Sequence, residues 1–240
     1  KLKLTDCAEL LSREVVSEGP VELRLRSRYR LSDKSTLTQD MIVYADSPMV
    51  VFDTLMDWHD DHRFLKTAFD TSVFADFARF EIQFGHIKRP TIPSTMEDQA
   101  KFEVVNHKFT DLSENRYGVA LLNDCKYGIS VEGGQMRLSL HKGGNRPDYT
   151  GDHGQHRCCY AFLPHDGGFC AETVVRGGYQ LNQPAIVLPG ACAFDSLATV
   201  DVPHVIIETI KPCEDGGRGY ILRLYESEGT AARARHHSAS

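Results

Sequence analysis

The sequence predicts an all-β protein, built as a large antiparallel β-sandwich. Three observations carry that expectation. Apolar residues recur with a period of two along most of the chain, glycine-rich turns separate those runs, and helical periodicity is scarce. Successive side chains of a strand point to opposite faces, so alternation marks a strand buried on one side. Many short alternating runs with few helices between them correspond to two or more stacked antiparallel sheets.

The elements follow in order. Residues 6–12 allow a short helix with Asp6 as its cap. In residues 21–31, Val21, Leu23, Leu25, Tyr29 and Leu31 hold the odd positions, and Glu22, Arg24, Arg26, Arg28 and Arg30 the even ones. This predicts a half-buried strand whose arginine row is a wetted face. Further strands follow from Phe80, Ile82 and Phe84; from Phe102 and Val104; and from Tyr127, Ile129 and Val131. Met136, Leu138 and Leu140 give another, and Val205 with Ile207 and then Tyr220, Leu222 and Leu224 give the last two. Gly133-Gly134 between two alternating runs predicts a tight hairpin. Residues 229–240 end in a small, polar, basic stretch that is expected to fray, which leaves 1–228 as the folded unit.

Composition bounds the function. At 240 residues, 41% hydrophobic and 25% charged, the chain is a globular protein long enough to bury a sizeable core. A net charge of -6 gives no basic footprint, so nucleic acid is not an expected partner. The longest uncharged stretch, residues 177–194, is broken by Gln180, Asn182, Gln183, Pro184 and Pro189, so no membrane-spanning helix is expected. Seven cysteines at irregular spacing form no C-x-x-C pair, which predicts free thiols, a reducing compartment and a cytoplasmic location. On a strand, adjacent Cys158 and Cys159 would face opposite ways. A first residue of lysine with no apolar run behind it suggests a piece cut from a longer chain.

Two polar clusters stand out. Trp58-His59-Asp60-Asp61-His62 would need a turn to bring both imidazoles to one ion, and a hydrogen-bonded strand end is the simpler reading. Asp148, Asp152, His153 and His156 lie in a glycine-rich segment whose spacing matches no zinc signature. No metal site and no catalytic residue is assigned to this chain. With no nucleophile elbow, phosphate loop or dinucleotide fingerprint, the residues by themselves lead to a large β domain and not to a reaction.

Several segments resemble family 38 α-mannosidases, most of all the branch with the cytosolic animal enzyme and many bacterial ones. They are residues 51–69 (VFDTLMDWHDDHRFLKTAF), 81–91 (EIQFGHIKRPT), 100–114 (AKFEVVNHKFTDLSE), 117–128 (YGVALLNDCKYG), 136–140 (MRLSL) and 209–226 (TIKPCEDGGRGYILRLYE). The likeness runs in order through residues 10–228 and departs from the family's usual pattern at Ile92 and Met96, at His141-Lys142 and at Cys158-Cys159.

The resemblance implies a carboxy-terminal β-sandwich region of the galactose-mutarotase-like, supersandwich type. It implies a retaining exo-α-mannosidase acting on mannose-containing glycans, whose nucleophile, acid/base carboxylate and divalent metal (zinc or cobalt) lie upstream. Expected partners are thus the upstream catalytic and helical domains of the same enzyme and the glycan, with a homo-oligomer left open. Loops on a rigid scaffold are the usual carriers of substrate contacts. The substrate-cleft candidates are Asn123, Asp124, Lys126 and Tyr127 in one turn, and His141 and Lys142 at the start of another loop. Two rival functions use the same fold: a stand-alone carbohydrate-binding sandwich and a mutarotase-type epimerase. Leu2, Leu4, Leu10 and Leu11 are the expected seat of an exposed surface against neighbouring domains.

Overall fold

A computed structural model describes residues 6–191 and 196–238. Strand takes 51% of the residues and helix 7%, so period two is what the backbone follows. The first strands are β1 (Glu9–Glu18), β2 (Glu22–Arg30), β3 (Thr36–Tyr44), β4 (Val50–Trp58), β5 (Phe64–Asp70), β6 (Phe77–Ile82) and β7 (Gly85–Pro90). A short helix, α1 (Met96–Ala100), precedes β8 (Val104–Val105), β9 (Phe109–Ser113), β10 (Tyr117–Asn123), β11 (Gly128–Glu132), β12 (Gln135–Lys142) and β13 (Gly154–Asp166). A π-helical turn, Ala171–Val175, then runs into α2 (Arg176–Asn182). The chain ends in β14 (Ala198–Val200), β15 (Val205–Pro212), β16 (Tyr220–Glu226) and β17 (His236–Ser238).

Nine strands form one antiparallel sheet in the order β1-β2-β3-β4-β13-β10-β9-β6-β7, and four form a second in the order β5-β12-β11-β8. Register fixes what each face of the large sheet carries. Tyr29, Leu37, Met56 and His156 lie side by side across four strands. Their face packs on the small sheet, where Ile129, Met136, Leu138 and Leu140 meet Leu37, Phe80, Leu112, Leu121 and Tyr160. The opposite face carries Ile42, Val51, Ala120, Leu122, Ala161 and Leu163 against Val174 and Val175 of the π-helical turn. Leu121 and Leu122, adjacent in sequence and both fully buried, therefore serve two different cores. Fully burying a side chain of this size contributes about 1.5–3 kcal/mol. Cys158 and Cys159 divide in the same way between the two faces, as alternation predicts.

Two glycines make the layers possible. Gly133 takes φ 56° in the turn between β11 and β12, a conformation that L side chains rarely adopt. At Gly177 a Cβ would lie 2.9 Å from a Leu163 methyl, so glycine lets α2 settle on the sheet without displacing that side chain.

Elsewhere the backbone departs from the sequence expectations. No helix forms at residues 6–12 among the described residues; β1 begins at Glu9 and pairs with β2. Its β-branched Val15 and Val16 favour a strand, and the register slips at Leu10/Ser12 and Val15/Ser17 break the simple alternation that would have announced one. The run around Phe102 and Val104 shrinks to two strand residues, because the Glu103 carboxylate turns inward to Lys66 and to the Ser139 hydroxyl. In the segment expected to fray, His236–Ser238 pair with Ala198–Val200. Leu2 and Leu4 lie outside the described residues, as does Cys192; the other six cysteines are free. Among the described residues no helix is long and apolar enough to cross a membrane.

Candidate functional site

The two histidine-rich segments, more than eighty residues apart in sequence, meet at one end of the sandwich. Pairing brings them together: Trp58, the last residue of β4, stands opposite Gly154, the first of β13. β12 ends beside them at His141 and Lys142, which pair with Leu65 and Phe64 of β5.

Three rings pack together at this end, tilted against one another. The centroid of His141 lies 4.9 Å from that of Trp58 and 4.3 Å from that of His156. The Trp58 indole is buried and donates to the backbone oxygen of Asp60 at 2.7 Å. The Asp60 carboxylate accepts hydroxyl hydrogen bonds from Ser32 at 2.6 Å and Ser35 at 2.5 Å. Burial works against its charge, but these hydroxyls and Arg63 hold the carboxyl below its usual range. His141 is 8% exposed, and its Nε2 has no hydrogen-bond partner. Burial, then the neighbouring His156 and Lys126, push it down to about 4, so it is neutral at neutral pH.

Around the stack, His153 Nε2 lies 3.2 Å from Asp61 and Asn145 Nδ2 lies 3.0 Å from His62 Nε2. Residues 143–153 are thus tied to residues 59–63 by side chains from both motifs. The six cleft candidates divide accordingly. Lys126, His141 and Lys142 gather at this end, with Lys142 exposed. Tyr127 is 49% exposed and leans on His107 at 5.0 Å between ring centroids. Asn123 is fully buried: its amide donates to His107 O at 2.6 Å and accepts from Lys126 N at 2.7 Å, so it shapes the turn from inside. Asp124 is half-buried, with an Oδ1 atom that finds no partner. It faces a groove of about 650 Å³ on the other side of the large sheet, lined also by Arg24, Tyr44, Arg157 and Gln180. Sequence reasoning missed Trp58 and His156 as the walls of the His141 site. The available signal was that each motif abuts an alternating run, which places it at a strand end.

Among the described residues no three His, Cys, Asp or Glu side chains converge so as to hold an ion. The donor set of the described residues therefore does not fit a divalent metal.

Comparison with known proteins places this architecture. The C-terminal domain of the glycosyl hydrolases family 38 matches residues 3–150, and the C-terminal beta sandwich domain of the same family matches residues 204–239. The chain belongs to glycosyl hydrolase family 38. Among family 38 relatives, alpha-mannosidase 2C1 of Homo sapiens is 42% identical over 207 residues, covering 84% of this chain and 20% of the relative. Alpha-mannosidase G of Dictyostelium discoideum is 39% identical over 229 residues, covering 91% of this chain and 21% of the relative. The chain thus spans about a fifth of the length of these relatives. An alpha-mannosidase structure from Enterococcus faecalis V583 shares the fold, with a TM-score of 0.80 at 12% identity over 96% of this chain and 31% of that one.

Proposed function

We propose that this chain is the β-sandwich portion of a retaining exo-α-mannosidase acting on mannose-containing glycans. Domains upstream would supply the nucleophile, the acid/base carboxylate and the divalent metal, zinc or cobalt. The observation that carries this reading is the 42% identity to an alpha-mannosidase of which the chain covers only 20%. The chemistry of such an enzyme needs two carboxylates facing each other across the glycosidic bond, beside the metal. Nothing at the His141 end supplies that arrangement. What that end offers is a rigid base under an exposed cation, Lys142, with Lys126 nearby. An ammonium there can donate to sugar hydroxyls or oppose a carboxylate of the neighbouring domain.

The edge of the large sheet supports the same reading. Leu10 (46%), Val15 (55%) and Leu23 (40%) stay exposed on one face, where a neighbouring domain would cover them. Six free cysteines support a cytoplasmic location.

The test is direct. The isolated chain is expected not to cleave a p-nitrophenyl α-mannoside, with or without added zinc or cobalt, while a longer protein that includes the upstream domains cleaves it. Metal-dependent turnover by the isolated chain, surviving a contamination control, would overturn the assignment. A second reading, a carbohydrate-binding module, is favoured by the groove at Asp124, whose lining Arg24, Arg157 and Gln180 carry donors for sugar hydroxyls. Binding of mannosides by the isolated chain on a glycan array, lost in Asp124→Ala, would select it.

A further inference from the structure

We infer that His141 is a positioning residue: its neutral ring, packed between Trp58 and His156, pins the 143–153 loop that carries the chain on from Lys142, and acid releases that loop. The inference concerns the loop's order; only its relevance to the glycan rests on the function proposed above.

Geometry makes His141 the keystone. Its ring touches β4 through Trp58 and β13 through His156, at 4.9 and 4.3 Å between centroids, while it sits itself at the end of β12. Three elements from two sheets are thus joined through one imidazole. The loop that follows is fixed at its start by backbone bonds: His62 N donates to Gly143 O at 2.9 Å, and Gly143 N donates to Arg63 O at 3.0 Å. Gly143 is packed so closely that a Cβ there would lie 2.2 Å from Asp60 O. At the far end, His156 Nε2 donates to Asp152 O at 2.6 Å. His62 and Asp152 both hold left-handed φ values of 55°. Such residues persist only where their surroundings hold them.

A proton on His141 would undo this arrangement. Its Nε2 is buried without an acceptor, so the new N–H would have no partner. The groups facing it are His156 from β13, Lys126 from the turn after β10 and Asp152 from the loop. Behind the Trp58 ring the indole N–H already engages Asp60 O. Of these groups only Asp152 favours a cation, and its backbone oxygen is shared between His141 and His156. The outer ties have charged groups of their own: Asp61 on His153, Asp57 on His59, and His153 near enough to Asp148 to help hold that carboxyl down. Acid therefore favours a state in which His141 reaches water, and parting its ring from Asp152 and His156 frees the far end of the loop.

Linkage sets the size. A ring held at about 4 when stacked and at its ordinary value of about 6.5 when released makes loop opening roughly 25-fold more populated at about pH 5 than at about pH 7.5. The experiment is amide hydrogen exchange of residues 143–153 at those two pH values, corrected for the chemical exchange rate, with strand β10 as the internal control. The inference expects the corrected exchange of the loop to rise by that factor while β10 stays unchanged. In His141→Phe, which keeps a ring in the stack and cannot take the proton, the rise should disappear. No rise in the wild type, or an equal rise in His141→Phe, overturns the inference. Should His141→Phe fail to fold, an NMR titration of the wild-type ring decides: a midpoint near the ordinary value overturns it, and one well below that value supports it. Neither readout involves a sugar, so a failure of the mannosidase assignment would leave this result standing, and the reverse also holds.

Discussion

Two parts of the large sheet obey the same alternating pattern and meet opposite fates. In the middle, β10 lies between β9 and β13, and Val119, Ala120, Leu121 and Leu122 are all at 0% exposure because the small sheet covers one face and the π-helical turn with α2 the other. At the edge, β1 has only β2 as a neighbour among the described strands, and Leu10, Val15 and Leu23 point toward the same layer of space and stay about half exposed. The difference teaches that alternation identifies a face and leaves open whether that face is covered. Coverage depends on how far the second layer extends, which is a property of topology: four strands cannot roof nine.

The largest expected effect probes the roofed half. Leu121→Ala should cost about 3–4 kcal/mol, the transfer term plus an unrelaxed cavity beneath the small sheet. Urea unfolding monitored by Trp58 fluorescence measures it. A loss below about 1 kcal/mol would mean that the middle is no better closed than the edge.

Polar groups repeat the contrast. Asp111 is fully buried, 3.0 Å from His165 Nε2 and 3.5 Å from Arg79, whereas Glu14 on the edge strand meets Arg28 at 3.9 Å with both side chains more than half exposed. Asp111→Ala strands the buried His165 and the half-buried Arg79 and should cost about 3 kcal/mol. Glu14→Ala should cost under about 1 kcal/mol. Similar values for the two substitutions would break the comparison.

Acid should find the open end of the sandwich before its middle. His141 is depressed in the fold to about 4, so stability is intact above its ordinary value and drains as pH falls from there toward the depressed one. The loss should reach about 2 kcal/mol at about pH 5. In His141→Phe that part of the pH dependence should vanish, which paired urea titrations would show.

Much of this was legible in the residues. Gly133-Gly134 between two alternating runs marked the β11–β12 hairpin, and the split of Cys158 from Cys159 followed from period two alone. β1 was not legible, because its two register slips put Leu10 and Leu11, and then Val15 and Val16, side by side, a pattern that a helix turn also permits. The His141 site was half legible. Both histidine motifs were visible, yet their meeting depends on β4 pairing with β13 and on β12 ending beside β5, long-range facts that no local spacing encodes. Asn123 was misjudged as a surface group for a related reason: the carbonyl that captures its amide belongs to His107, before β9.

The smallest expected effect on stability is the most telling about the edge. Leu10, Val15 and Leu23 share a face through their pairing with Tyr29, Leu25 and Glu18. Because each is at least 40% exposed, replacing all three with serine removes little buried area. The isolated chain should change by no more than about 1 kcal/mol in urea. In a longer protein that includes upstream domains the same substitutions should act differently. If those domains roof the edge as the small sheet roofs the middle, each side chain buries its exposed half, worth about 1 kcal/mol. The triple variant would then loosen the domain contact, seen as new protease cuts between domains and a lower unfolding temperature, with the sandwich itself intact. Equal behaviour of wild type and variant in the longer protein would show that this edge faces water there too, and that the seat of the neighbouring domains lies on another surface.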